Sequence, residues 1–185
     1  IKHMEMLGAY KVVDWTSYEI KVPDEPDMRV RRIAKMVMEK NKFKVLAMGW
    51  LHKHDREKFD YYGMKCLDVL DEAFAPLFGT SPINDKQKAR ELASIKQVYV
   101  PELSCVVVDE NDDVAVYGFM MPRISEAMRK GKGHVIPFGL PAILWGMKHI
   151  KRTDMMHVGV QNKYAHTRTV TIVSDQCLAV TLNIA

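Results

Sequence analysis

Apolar residues recur at steps of three and four in two segments of the chain. Between Met28 and Lys40 they form one stripe, and most of the basic residues lie off it. A longer stripe runs from Phe59 to Leu77 and ends just before Gly79. This spacing is typical of amphipathic helices packed on a core, and glycine commonly follows the end of a helix. We therefore predict a helix in each segment.

Three further helices are predicted from their start and stop residues. One runs from Asn84, a capping residue followed by Gln87 three positions on, to about Ile95. A short one begins at Ser125 and ends at one of two following glycines, Gly131 or Gly133. The third occupies residues 137–150 with Pro141 near its first turn, and its predicted core-facing residues are Ile143, Leu144 and Met147.

Elsewhere the pattern is that of strands. Residues 103–109 and 114–121 are rich in β-branched residues on either side of an acidic turn, which predicts a hairpin. Residues 154–160 predict another strand, with Met156, Val158 and Val160 on one face and His157 on the other. A short strand is predicted in residues 43–48.

The first 27 residues differ from the rest. A helix end is predicted before Gly8, followed by two β-rich runs at residues 10–13 and 17–22. "PDEPD" at residues 23–27 is unsuited to a helix or a central strand, which predicts a linker. The chain begins with Ile1 instead of Met, so we expect it to be part of a longer protein.

Composition narrows the class of protein. The 185 residues are 48% hydrophobic with a formal net charge of +4, which favours a globular domain with its own core. The basic residues of the first helix lack interleaved aromatics, so nucleic acid is not expected as a partner. No apolar run approaches a membrane span and no signal peptide is evident, so we expect no membrane partner. Three scattered cysteines indicate a reducing, cytoplasmic setting.

From residue 29 onward the chain resembles the GNAT superfamily of acyl-coenzyme A N-acyltransferases, and more narrowly a group of uncharacterised bacterial GNAT-like proteins. The motifs that carry the resemblance are "RVRRIAKMV", "LDVLDEAFAPLFGTSPIND", "VVVDENDDVAVYGFMMPRISEAM", "GKGHVIPFG" and "DMMHVGVQNKY". The opening "HMEMLGAYKVVDW" is similar to the closing segment of a GNAT domain.

The resemblance implies an α/β GNAT-like fold, with a mixed, mostly antiparallel central sheet flanked by helices. Residues 1–27 would then be the terminal strands of a preceding GNAT-like unit plus a linker. Residues 28–185 would form a GNAT-like domain that is incomplete at its C-terminal end. The strands of residues 10–22 could fill the vacancy in this second sheet.

The resemblance also implies a site for acetyl-CoA or another acyl-CoA. The pantetheine arm would lie in a V-shaped opening along the backbone of Val158 and Val160. The pyrophosphate would sit on the next turn, at the start of a helix, where unpaired N–H groups attract anions. The residues predicted to bind it are His166, Thr167, Arg168 and Thr169.

This turn departs from the family pattern. Ala165, Arg168 and Val170 fall where the family has glutamine or arginine, glycine, and glycine or alanine. Two alternatives stay open: phosphate binding in a changed form through arginine and threonine side chains, or a site obstructed where glycines normally allow close approach. The following "TRTVTIVSDQ" favours a strand by its β-branched residues, whereas the family has a helix there.

Acyl transfer to an amine requires a base for the amine and an acid for the departing thiolate. The resemblance makes Asp154 or His157 the candidate base and Tyr164 a candidate acid. A structural role for each is the competing interpretation. The expected acceptor is a small-molecule or peptide amine, and the chain could form a homodimer.

His52 and His54 in "HKHD" would lie on one side of a strand, but two ligands are too few and no metal is expected. The alternative function is a catalytically inactive GNAT-like module that binds a small molecule or a protein.

Overall fold

A computed structural model describes residues 2–123, 125–130, 139–150 and 152–184. The elements along the chain are α1 (Lys2–Met6), α2 (Met28–Lys40), β1 (Lys44–Val45), α3 (Met48–His54), α4 (Arg56–Phe74), α5 (Asp85–Val98), β2 (Ser104–Val108), β3 (Val114–Pro122), α6 (Ser125–Lys130), α7 (Gly139–Lys148), β4 (Thr153–Val160) and α8 (Val170–Ile184). The fold is α/β, as predicted.

Side-chain caps define where two predicted helices begin. Asp27 accepts a hydrogen bond of 2.8 Å from the main-chain N–H of Arg29 at the start of α2. At the start of α5, Asn84 and Gln87 each accept from the main-chain N–H of the other, which completes a capping box. These bonds satisfy N–H groups that a helix start leaves unpaired. The predictions for both helices are confirmed.

The sheet has four strands in the order β1-β2-β3-β4, and every pairing is antiparallel. The predicted hairpin is confirmed as β2 and β3, and the predicted third strand as β4. Phe119 pairs with His157 and Met120 pairs with Met155, so Met156 is an extra residue that forms a bulge in β4.

Helices cover both faces of the sheet. On one face α4 packs through Phe59, Cys66 and Leu70 against Tyr117 and its neighbours in β2 and β3, and α3 and α5 contribute to the same core. On the other face α2 and α8 pack together and against the sheet. This arrangement of helices on an antiparallel sheet is compatible with a GNAT-like fold.

The segment before α2 differs from its prediction. The strands expected at residues 10–13 and 17–22 do not form, and residues 9–23 have no regular secondary structure. They also add nothing to the sheet, so the idea that they fill its vacancy within the same chain is wrong. A strand needs a neighbour to satisfy its main-chain groups, and here it has none.

The predicted opening between splayed strands is also missing. Among the described residues, β4 pairs with β3 alone and forms the edge of the sheet. A V-shaped opening needs two walls, and this chain supplies one of them. The outer side of β4 is therefore an exposed sheet edge.

Two further predictions fail because burial decides the local structure. Residues 170–184 form helix α8 despite their β-branched residues, since Ile172 and Val173 are buried against the sheet and α2. The strand predicted for residues 43–48 forms only over the two residues of β1, Lys44–Val45.

His52 and His54 lie in α3 and not on a strand, because Met48 and Leu51, three positions apart, are both buried. His54 stacks on Trp50 and His52 contacts Phe59.

Helices α6 and α7 form where they were predicted. Within α7, Leu144 is 57% exposed and does not face the core, so that prediction is wrong, while Ile143 and Met147 are partly buried. Gly131 and Gly133, which were expected to end α6, lie outside the described residues.

Candidate functional site

The turn between β4 and α8 keeps the backbone conformation that glycine usually provides. A short 3-10 turn at Asn162–Tyr164 follows β4, and α8 begins at Val170. Arg168, at one of the family's glycine positions, has φ of 56°, in the left-handed region. Arg168 therefore adopts a backbone conformation that glycine reaches more easily.

Four main-chain N–H groups of this turn are unused. Within the described part of the chain, none of the hydrogen bonds involves the main-chain N–H of His166, Arg168, Thr169 or Val170. Thr169 is 1% exposed, so the N–H groups that can meet an anion are those of the exposed residues His166, Arg168 and Val170, at the start of the 15-residue helix α8. Unpaired N–H groups and the positive end of the helix dipole together favour an anion there.

The side chains predicted to bind the cofactor fall into two groups. His166 and Arg168 are exposed, and no ion pair of the described residues involves Arg168. The Thr167 hydroxyl donates to the carbonyl oxygen of Tyr164 at 2.7 Å, and the Thr169 side chain, 1% exposed, contacts that of Thr167. The threonine side chains thus hold the turn together.

Val158 and Val160 have partly buried side chains that pack towards α2 and α8. Their main chain lies in β4, at the exposed edge of the sheet. Any contact with a pantetheine arm would therefore come from this main chain.

Tyr164 is held by a buried carboxylate, Asp109, that no motif in the sequence indicates. Asp109, directly after β2, accepts from the Tyr164 hydroxyl at 2.9 Å and from the Lys163 ammonium at 2.8 Å. It also accepts from the main-chain N–H groups of Asn111 and Asp113 at 2.9 and 3.0 Å. The Tyr164 ring meets Phe43 edge-on, with ring centroids 4.9 Å apart. These contacts fix the turn to the β2–β3 hairpin.

The charge on Asp109 is stabilised by this network. Burial by itself raises the pKa of Asp109, but the hydrogen bonds from Lys163, Tyr164 and the hairpin outweigh it and lower the pKa from 3.8 to about 2. Burial and the bond to Asp109 raise the pKa of Tyr164, so this phenol stays protonated. The only sequence signal was an acidic residue closing a buried strand.

Asp154 lies at the start of β4 in an ion pair. Both the Nε and the Nη2 of Arg123 donate to its Oδ1, at 2.8 and 2.6 Å. The carboxylate therefore already has a cationic partner that joins the ends of β3 and β4.

His157 lies further along β4, partly buried, with its ring centroid 6.4 Å from that of Phe119. Burial lowers the pKa of His157, against an opposing effect of Glu91, so the imidazole is neutral at neutral pH. A cavity of about 60 Å³ lies beside the ring, and its wall also includes Cys66 and Tyr99. A neutral imidazole at the wall of an apolar cavity can accept a proton.

Other features bear on binding. No group of three or more His, Cys, Asp or Glu side chains is arranged to hold a metal ion within the described ranges. Cys66, Cys105 and Cys177 are buried cysteines that form no disulfide. None of the helices described is both long enough and apolar enough to cross a bilayer.

Comparison with known proteins finds a similar bacterial protein. No family model matches the chain. A bacterial ceramide synthase from Caulobacter vibrioides (strain NA1000 / CB15N) is 24% identical over 165 residues, which cover 87% of this chain and 40% of that protein. The chain thus spans less than half the length of this curated relative. The similarity points to an acyltransferase-like relative and leaves the GNAT resemblance as a proposal.

Proposed function

We propose that the chain is part of an N-acyltransferase that takes an acyl group from acetyl-CoA or another acyl-CoA and joins it to an amine. The observation that carries this proposal is the turn after β4, where the exposed residues His166, Arg168 and Val170 have unused main-chain N–H groups at the start of α8. The similarity to a ceramide synthase supports acyl transfer as the reaction class.

The turn suits a pyrophosphate better than its sequence indicates. Main-chain N–H groups bind anions whatever their side chains are, and the left-handed Arg168 gives the turn a path normally reserved for glycine. Arg168 itself is exposed and can add a charge-assisted hydrogen bond to a phosphate oxygen. The sequence left open whether the turn binds phosphate in a changed form or is obstructed. We propose that it binds phosphate in a changed form.

In the proposed reaction, the amine attacks the thioester carbonyl and its proton passes to His157, whose lowered pKa keeps it a free base. The carbon–sulfur bond then breaks and the thiolate leaves. We assign Asp154 and Tyr164 to positioning instead, because one pairs with Arg123 and the other donates to Asp109.

The acceptor class follows from the relative's name. A ceramide is an amide of a long-chain amino alcohol, so a lipid amine is the first acceptor to test, ahead of small-molecule and peptide amines.

Calorimetric titrations with acetyl-CoA test the proposed phosphate site. They compare the starting protein with two variants of Val170. Val170→Asp places a carboxylate at the N-terminus of α8, where it stabilises the helix by about 0.5 kcal/mol but competes with the pyrophosphate. Val170→Asn has nearly the same shape without the charge. We expect binding by the starting protein and by Val170→Asn, and at least tenfold weaker binding by Val170→Asp.

Equal affinity of the Asp and Asn variants, or no heat with the starting protein, would contradict the proposal. Thermal unfolding of Val170→Asp serves as a control, since the folded state should be at least as stable as that of Val170→Asn.

The second candidate function is a catalytically inactive module that binds acyl-CoA without turnover. Two of the three predicted catalytic side chains are already engaged: Asp154 forms an ion pair with Arg123, and Tyr164 donates a hydrogen bond to Asp109. This favours the inactive module. Measuring the release of free thiol in the presence of a lipid amine distinguishes the acyltransferase from the inactive module. Binding without thiol release would indicate the inactive module.

A further inference from the structure

The cavity beside the His157 ring lies between helices α4 and α5 and the sheet. Most of its wall is apolar and includes the buried side chains of Phe59, Leu67 and Leu92. All of the wall comes from residues 48–157. The cavity is partly open, so a ligand can enter it without unfolding of the core.

Tyr117 brings an unpartnered polar group to this wall. Its side chain is 4% exposed, and its hydroxyl forms no hydrogen bond with any of the described residues. Burial raises the pKa of Tyr117, so the phenol stays protonated and remains a donor. Leaving a buried donor without an acceptor is destabilising, which favours an acceptor atom that arrives with a ligand.

The Tyr117 phenol and the His157 imidazole lie on the same face of the sheet. Tyr117 pairs with Gly159, and Phe119 pairs with His157. The Tyr117 ring lies over Gly159, because a Cβ at that glycine would be 2.5 Å from Cε1 of the ring. Side chains two residues apart on a strand share a face, so the phenol takes the place beside His157 that Gly159 leaves free. The wall therefore combines a proton acceptor with a hydrogen-bond donor.

These two groups suit the reacting end of a thioester. In the proposed reaction His157 takes the proton of the amine, so the thioester carbonyl must lie close to the imidazole. Negative charge develops on the carbonyl oxygen as the amine adds, and a hydrogen-bond donor placed at that oxygen stabilises the charge. The Tyr117 hydroxyl is such a donor, and the alkyl part of the acyl group then enters the apolar cavity.

The volume of the cavity limits the length of the acyl chain. A cavity needs about 10–15 Å³ for each water-sized group that it holds. A cavity of about 60 Å³ therefore accommodates about four to six such groups. An acyl group of about four carbons fits this space, whereas a long chain does not.

We propose that this cavity holds the acyl group of a short-chain acyl-CoA, of about four carbons at most, whose carbonyl oxygen accepts a hydrogen bond from Tyr117. The inference rests on the proposed function. It adds the class of acyl donor and makes Tyr117 a catalytic residue.

Calorimetric titrations with acetyl-, butyryl- and decanoyl-CoA test the size of the site. Burial of each further CH₂ group raises affinity about fourfold, so butyryl-CoA should bind about 15-fold more tightly than acetyl-CoA. Decanoyl-CoA should bind more weakly than butyryl-CoA. An affinity that rises further with decanoyl-CoA, or that does not depend on the acyl chain, would overturn the assignment of the cavity. If none of the three binds, the proposed function itself is wrong.

Truncation of a leucine in the wall tests the position of the acyl chain. Leu92→Ala enlarges the cavity and should shift the preferred acyl group from butyryl to hexanoyl or longer. Leu103→Ala removes the same atoms from a buried leucine in the core on the other face of the sheet, so it should leave the preference unchanged. An unchanged preference in Leu92→Ala would overturn the proposal.

Tyr117→Phe tests the hydrogen bond, because it removes only the unpartnered hydroxyl. The Tm should stay the same or rise, since no hydrogen bond within the protein is lost. Thiol release from butyryl-CoA in the presence of an amine should slow about 100-fold. Unchanged thiol release, or a clear fall in Tm, would contradict the role assigned to Tyr117.

Discussion

Replacing Asp109 by Asn should destabilise the protein in a pH-dependent way. Asp109 is 3% exposed, and its carboxylate accepts hydrogen bonds from Lys163, Tyr164 and two main-chain N–H groups. The amide keeps the shape of the side chain but removes the negative charge opposite Lys163. It also replaces one acceptor oxygen by a donor group.

The size of the effect follows from the lowered pKa of Asp109. A pKa of about 2 in the folded protein against 3.8 ordinarily corresponds to about 2 kcal/mol, at about 1.4 kcal/mol per tenfold change in acidity. Because the pKa is lowered on folding, this stabilisation is complete above about pH 4. It is lost as the pH falls through about 2. For 185 residues, 2 kcal/mol corresponds to a fall in Tm of about 4–8 °C.

Urea unfolding of the starting protein and Asp109→Asn, from neutral pH to about pH 2.5, measures this difference. It should be about 2 kcal/mol at pH 7 and shrink steadily below about pH 4. Asp113→Asn in the same hairpin is the control: Asp113 is 45% exposed in its ion pair with Lys65, so its loss should cost under about 1 kcal/mol. An Asp109→Asn effect that is independent of pH, or no larger than that of Asp113→Asn, would refute the reasoning.

Three further outcomes are expected. Arg168→Gly should raise the free energy of unfolding by about 1 kcal/mol in urea titrations, because φ is 56° there; Arg168→Ala should bring no such gain. Gly159→Ala should cost about 1–3 kcal/mol by the same measurement, since the new Cβ would lie 2.5 Å from Cε1 of Tyr117; in a Tyr117→Leu background this cost should largely disappear. Under the proposed function, His157→Gln should slow thiol release at least about 100-fold with unchanged acetyl-CoA affinity, and the rate of thiol release by the starting protein should fall only below the ordinary histidine pKa of 6.5. Loss of affinity instead would assign His157 to binding.

Local chemistry explains which elements were predictable from the sequence. The extent of α2 follows from one apolar stripe, and the start of α5 follows from a capping box. The β2–β3 hairpin follows from runs rich in β-branched residues on either side of an acidic turn. In each case the deciding contacts join residues close in sequence, so a pattern of a few positions contains the information.

Contacts between distant residues explain what the sequence did not predict. The sequence makes Tyr164 a candidate acid, but its hydroxyl donates a hydrogen bond to Asp109, 55 residues earlier. No local sequence pattern indicates this hydrogen bond. Helix α8 forms against its β-branched composition because Val173 and its neighbours are buried. The left-handed φ of Arg168 depends on the path of the whole turn, which an arginine in the sequence argues against.

Backbone amide NMR during titration with acetyl-CoA tests the central claim most directly, because it reports on the main-chain N–H groups themselves. The account predicts that the largest shifts occur at His166, Arg168 and Val170, with smaller ones along β4. Unchanged signals at these three amides at saturating acetyl-CoA, or shifts confined to another part of the protein, would contradict it.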